Sequence, residues 1–226
     1  MQIPGRSYVR GETTISELRA LTAGFEYADA LIDDDLCGEG YDAVLVEGDL
    51  HLPRLELGEG VALLVVTGNL TVDGACVTSD DPATGLYVLG NLSAGSVLTA
   101  GMLGVGGDLK VARTLAGYYN DFSAIVKGTT RAAVFYPENH AFDFVGAPHF
   151  DQVLGKAASY RVPPAWSGQV QESLRGRALL ARATSAPVEG IDEVSAEELE
   201  TYGATDLLEV DALYAHVRAD KPLLID

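Results

Sequence analysis

His140, Asp143 and His149, with Glu138 just ahead of them, are the densest group of side chains here that could hold a metal or relay a proton. Imidazole and carboxylate are common zinc donors, but zinc sites space them in recurrent patterns that this stretch does not follow. Phe142, Phe144 and Phe150 are interleaved with the candidate ligands. Rings at that density indicate a packed loop closing the end of a larger structure, so neither a metal nor another cofactor is expected. Gly104-Val-Gly106-Gly107 superficially resembles a phosphate-cradling loop, yet it lacks the Lys-Ser/Thr pair of a P-loop, and no long helix follows. No serine stands in a Gly-x-Ser-x-Gly elbow. The central bases are Lys110, Arg113, Lys127 and Arg131; Lys110 and Lys127 sit beside repeated glycines, where corner or surface residues belong. No catalytic residue is assigned.

Two other clusters suit binding better than bond-making. Asp33-Asp34-Asp35, with Glu39 close behind, reads as a solvated acidic loop rather than a cation site. Tyr118-Tyr119-Asn120-Asp121-Phe122 gathers aromatic rings with polar tips, a composition shared by interface anchors and by core filler. Asp33, Asp34, Asp35, Glu39, Tyr118 and Tyr119 are therefore the candidate partner-binding residues.

Charge narrows the partner. Thirty-three acids against 15 bases give a net charge of −18 in 226 residues. Such a field repels nucleic acid and anionic membranes and draws in basic proteins. Eleven acids and one base lie between Glu26 and Glu59, and nine acids with no base between Glu189 and Asp211. From Val61 to Arg182 the signs balance at nine each. Cys37 and Cys76 form no metal-type pair or disulfide framework. No apolar run reaches the roughly 20 residues of a membrane span, and no secretion signal is evident, so the expected location is cytoplasmic.

The elements that must position these residues are legible in a repeat. Val-Leu-Val-Glu-Gly48-Asp49-Leu50 returns as Leu-Val-Val-Thr-Gly68-Asn69-Leu70, Leu-Tyr-Val-Leu-Gly90-Asn91-Leu92, Leu-Gly-Val-Gly-Gly107-Asp108-Leu109 and Ala-Ile-Val-Lys-Gly128-Thr129-Thr130. The glycines are 20, 22, 17 and 21 residues apart, the mark of stacked units that cannot bury an apolar face alone. Alternation such as Leu70-Thr71-Val72 and Leu109-Lys110-Val111 marks half-buried strands on either side of the corner. A meander of hairpins could use the same Gly-Asn turns, but it gives no reason for the period. The predicted fold is mainly β: a short right-handed parallel β-helix over 41–150, with flanking α-helical segments at both ends.

Residues 1–40 read as an N-terminal helical cap, with a capping box at Thr14-Ile-Ser-Glu17 followed by Leu18, Leu21, Phe25, Ala28 and Leu31-Ile32 at helical spacing. Residues 151–226 read as a helical region packed on the β-helix, all in one compact unit. Its predicted helices run from Gln169 to Thr184 and from Leu207 to Ala219, with further capping boxes at Ser195-Ala-Glu-Glu198 and Asp206-Leu-Leu-Glu209.

The Val-x-Gly-Asp/Asn-Leu-x-Val coils resemble those of bactofilins, bacterial polymer-forming cytoskeletal proteins built as parallel β-helices. Gly117-Tyr-Tyr-Asn-Asp-Phe-Ser-Ala-Ile-Val-Lys-Gly128 and Asn139-His140-Ala-Phe-Asp-Phe144 are closer to uncharacterised bacterial β-helix proteins. Some of those serve as immunity proteins against polymorphic toxins. The resemblance implies a non-enzymatic acidic binding protein that inhibits a basic toxin domain. Helical caps on both ends depart from the bactofilin pattern and would block end-to-end polymerisation. A self-assembling scaffold is the alternative. A β-helix enzyme acting on a sugar or acyl group is the second, with a groove lined by His140, Asp143 or His149. Oligomeric state is left open.

Overall fold

The computed structural model describes residues 3–8, 12–25, 42–58, 60–118, 121–137, 140–153, 160–161 and 210–223. The repeat winds into a parallel β-solenoid. Each coil contributes one strand to a first sheet, then turns at a glycine corner and contributes to a second. The first sheet holds β1 (Arg6–Tyr8), β2 (Asp42–Val46), β5 (Val61–Val66), β7 (Gly85–Val88), β9 (Met102–Val105), β11 (Ser123–Val126), β13 (Ala141–Phe144) and β15 (Tyr160–Arg161), in that order. The second holds β3 (Leu50–Leu52), β4 (Leu55–Glu56), β6 (Leu70–Val77), β8 (Leu92–Thr99), β10 (Leu109–Gly117), β12 (Thr130–Pro137) and β14 (Pro148–Val153). Every pairing between coils is parallel, which excludes the hairpin meander. Pairing continues to Arg161, past the boundary expected at 150.

The second sheet bends. β3 and β4 both pair with β6, and the register slips between Val72 and Ala75 and again between Val111 and Thr114. The solenoid therefore presents three faces: the first sheet, the first half of the second sheet, and its second half. The interior is packed by inward residues of all three, including Leu64, Leu70, Cys76, Leu86, Leu92, Leu103 and Leu109. Burial pushes the Cys76 thiol up to about 12, because an apolar core disfavours the thiolate.

Phe135, Phe142, Phe144 and Phe150 replace the aliphatic core in the last coils, with Phe135 and Phe150 stacked at 4.4 Å and Phe142 and Phe144 at 5.7 Å. The phenylalanines that interrupt the candidate metal ligands are an aromatic plug. They sit on strands of a full coil rather than in the expected loop, because their alternation matches the strand period.

The two helices among the described residues lie along the sides of the solenoid. In α1 (Glu12–Thr22), Leu18 and the following Phe25 pack on outward residues of the first sheet, Leu45, Leu63, Val65, Tyr87 and Ile125. Spacing at three and four residues puts them on one stripe, as the sequence pattern requires. α1 begins at Glu12, so Thr14 lies inside its first turn and is not the cap. It ends at Thr22, whose hydroxyl donates to the Leu18 carbonyl at 2.9 Å, with Gly24 beyond; both features weaken helix propagation. The rest of that predicted helix falls outside the described residues.

On the third face α2 (Val210–Arg218) packs through Tyr214 and Val217, joined by Leu223, on Ala75, Val77, Leu98, Ala116, Val134 and Tyr136. Its exit is latched to the bend. The Asp220 carboxylate accepts from Ser96 Oγ at 2.7 Å and from Arg113 Nη2 at 2.7 Å. The predicted helix over 169–184 and the capping boxes at 195–198 and 206–209 lie outside the described residues.

Among the described residues, a strand covers the first-sheet edge of the first coil. β1 runs antiparallel along β2, pairing Arg6 with Leu45 and Tyr8 with Ala43, and Ile3 packs against the interior core.

Candidate functional site

Of the three faces, the first half of the second sheet carries no helix among the described residues. Its outward row is read directly from the register. His51 pairs with Thr71, Thr71 with Ser93, Ser93 with Lys110, Lys110 with Arg131, and Arg131 with His149. Neighbouring strands are about 4.8 Å apart, so the row is about 24 Å long. On either side of it the residues point inward, as with Leu70 and Val72 or Leu109 and Val111. The row is polar throughout, because one side of each strand lines the core and the other meets water.

A ladder of side chains fixes the corner beside this row. The Asp49 carboxylate accepts the Asn69 backbone N–H at 2.7 Å, and Asn69 Oδ1 accepts that of Asn91 at 2.9 Å. Asn91 Oδ1 then accepts from Asp108 N at 2.8 Å, and Asp108 Oδ1 from Thr129 N at 2.7 Å. One residue earlier the glycines stack, each N–H donating to the previous glycine's carbonyl at 2.8–3.0 Å from Gly68 to Gly128. A Cβ on Gly90 would stand 2.6 Å from the Gly68 carbonyl oxygen, so nothing larger than glycine fits that stack. Gly48 opens the ladder with φ +86, a conformation that glycine adopts without steric cost.

Between ladder and row runs a shallow groove of about 440 Å³, lined by Asp49, His51, Asn69, Thr71, Asn91 and Ser93 together with Leu50 and Leu70. Its lining of amides, hydroxyls, imidazole and carboxylate can hydrogen-bond a polar surface. His51 Nε2 meets the Asp73 carboxylate at 2.8 Å, with both side chains 64% exposed. An exposed pair of this kind orients a surface and adds little stability.

The face is electrically divided. Its N-terminal coils carry Asp49 and Asp73, both exposed; Glu47 stands exposed at the corner beside them, and Asp42 opens β2 on the first sheet. Its C-terminal coils carry Lys110 and Arg131, both exposed. Arg6 bridges Glu17 at 3.1 Å and Glu47 at 2.9 Å, tying α1 and β1 to the acidic end.

The residues singled out from sequence do not converge. Asp33, Asp34, Asp35, Glu39 and Tyr119 lie outside the described residues. Tyr118 is 43% exposed and rests against Tyr214 of α2 with ring centroids 5.1 Å apart, far round the coil from the groove. His140 is buried against Phe142, Asp143 stands on the outer side of the first sheet, and His149 ends the polar row. Three residues on three sides of the coil cannot share a ligand. Gly104 backs onto the rings of Tyr87 and Phe25, and Gly106 and Gly107 pack on the previous coil's corner, so the glycine run serves packing. Sequence reading missed the polar row itself. Its signal is the third residue after every repeat glycine, which is polar in His51, Thr71, Ser93, Lys110, Arg131 and His149.

Fold and face together define a parallel β-solenoid in which, among the described residues, two sides carry helices and one polar side carries none. No family model, curated protein or solved structure matches the chain. Among the described residues no helix is long and apolar enough to cross a membrane.

Proposed function

We propose that this chain is a non-enzymatic binding protein that acts in the cytoplasm by holding a basic protein partner, in the manner of an immunity protein that blocks a toxin domain. One observation carries the reading: among the described residues two faces carry helices, and the remaining polar face is acidic at its N-terminal end, where Asp49 and Asp73 stand exposed with Glu47 at the adjoining corner. Asp42 continues from the chain's densest acidic block, which contains Asp33, Asp34, Asp35 and Glu39. An acidic surface of this kind steers a basic partner into place and sets the rate of encounter.

The scaffold alternative has less support. Coil-on-coil growth needs the outer edge of β2, and antiparallel β1 already occupies it. The enzyme alternative rested on a groove lined by His140, Asp143 or His149, and these occupy separate sides.

Light scattering behind size exclusion, over a wide concentration range, is the first test. A discrete mass is expected; mass that grows with concentration, with filaments on a grid, refutes the capped inhibitor. The second test measures association with a captured basic toxin domain as salt is varied. Neutralising Glu47, Asp49 and Asp73, or Asp33, Asp34 and Asp35, should slow association and flatten its salt dependence. Unchanged rates would remove that cluster from the interface.

A further inference from the structure

In a chain with 15 bases against 33 acids, the basic end of the bare face runs against composition. Lys110 and Arg131 are register partners on adjacent parallel strands. Both are exposed, and among the described residues neither makes an ion pair. Like charges directly opposite each other on a sheet repel and destabilise it. Other bases are engaged: Arg113 with Asp220, Arg54 with Glu56, and Lys127 over the Phe25 ring at 4.3 Å. Ser93 stands one strand before Lys110, and His149 one strand after Arg131. A hydroxyl, an ammonium, a guanidinium and an imidazole thus occupy consecutive places on one rigid row.

We propose that Lys110 and Arg131, on a row continued by Ser93 and His149, form a binding site for a phosphate group, free or as a monoester. The planar guanidinium grips two phosphate oxygens at once, while the ammonium adds a compact charge. An anion seated between the two cations replaces one repulsion by two attractions. The ligand is compact, because an extended polyanion would run on into Asp49 and Asp73 at the other end of the face. Asp108 and Asp151, both exposed, border the site, and with the net charge they weaken its hold on an anion. The site uses different residues from the basic-partner surface, so either reading can fail without the other.

The test titrates inorganic phosphate into the full chain at constant ionic strength, balanced with chloride, and follows the backbone amides by NMR. Saturable shifts centred on residues 110 and 131 are expected, with no response to acetate there. The double variant Lys110→Gln, Arg131→Gln should raise the midpoint by about tenfold or more. In chloride alone it should also unfold at higher urea than the parent, because the like-charge pair is gone. O-phosphoserine under the same conditions separates the sources, an ester site binding it more tightly than the free ion. Shifts scattered over the surface, an equal response to acetate, or an unchanged midpoint in the double variant would overturn the proposal. If the double variant does not fold, Arg131→Gln alone carries the same comparison.

Discussion

Gly48 and Gly90 occupy equivalent places in the repeat, yet they should fail for different reasons when replaced. Gly48 has φ +86, and a Cβ there would meet nothing within 4 Å. Alanine at this position suffers only the left-handed penalty, about 1–2 kcal/mol, and asparagine recovers part of it. Gly90 has no such φ, but its Cβ would stand 2.6 Å from the Gly68 carbonyl oxygen and 2.8 Å from the Gly68 carbonyl carbon. Those are backbone atoms and cannot rotate away. Overpacking of this kind costs about 1–3 kcal/mol. Displacing the Gly90 N–H from the Gly68 carbonyl, now at 3.0 Å, adds about 1 kcal/mol. The sum is about 2–4 kcal/mol for Gly90→Ala, and Gly90→Asn should be worse rather than better. Urea unfolding of the four variants, with amide exchange at the corner N–H groups to locate the damage, makes the comparison. If asparagine rescues both positions equally, or Gly90→Ala costs no more than Gly48→Ala, the close-stacking account of the corner is wrong.

Two further outcomes follow from the packing. Asp220→Ala removes the acceptor of Ser96 and Arg113 and should free α2 locally, by about 1 kcal/mol since Arg113 is partly exposed; Asp220→Asn, which tolerates φ +53 and still accepts from Ser96, should recover part of it. Faster amide exchange over 214–219 with solenoid exchange unchanged is the expected pattern, and equal exchange in both variants would show the latch to be idle. Cys76, with its thiol pushed up from 9.0 to about 12, should resist a thiol reagent at about pH 8 in a Cys37→Ser background until the chain unfolds. The unfolded thiol loses its proton first, so this group's contribution is intact below about pH 9 and stability falls as pH rises from there toward 12. Labelling of the native chain at the rate of a free thiol would contradict its burial.

The solenoid was legible because its determinants are local. Every corner repeats a glycine, followed in the first four by Asp or Asn, and the strands just after it alternate at period two. The lateral helices were half legible: Leu18, Leu21, Phe25 and Val217 mark their stripes, but nothing in those stripes says whether a side or an end receives them. That depends on outward Leu63, Val65 and Tyr87, which read as ordinary strand residues until the register places them on the outside. The candidate site was the least legible. His140, Asp143 and His149 are close in sequence and separated by the coil, whereas Lys110 and Arg131 are 21 residues apart and adjacent in space. Proximity along the chain is a poor guide in a fold whose neighbours are one turn away.

The spacing of the corner glycines varies between 17 and 22, yet the ladder beside them never loses register. Length differences are taken up on the far side of the coil, as in the Ser79–Thr84 loop, where the Thr84 N–H donates to the Ser79 carbonyl at 3.0 Å. The molecule thus separates a seam of fixed geometry from a side where coil length varies. Whole coils could be duplicated or lost by recombination between equivalent glycines, lengthening or shortening the polar row by one position each time. A lineage built this way could retune the reach of its binding face without redesigning its core.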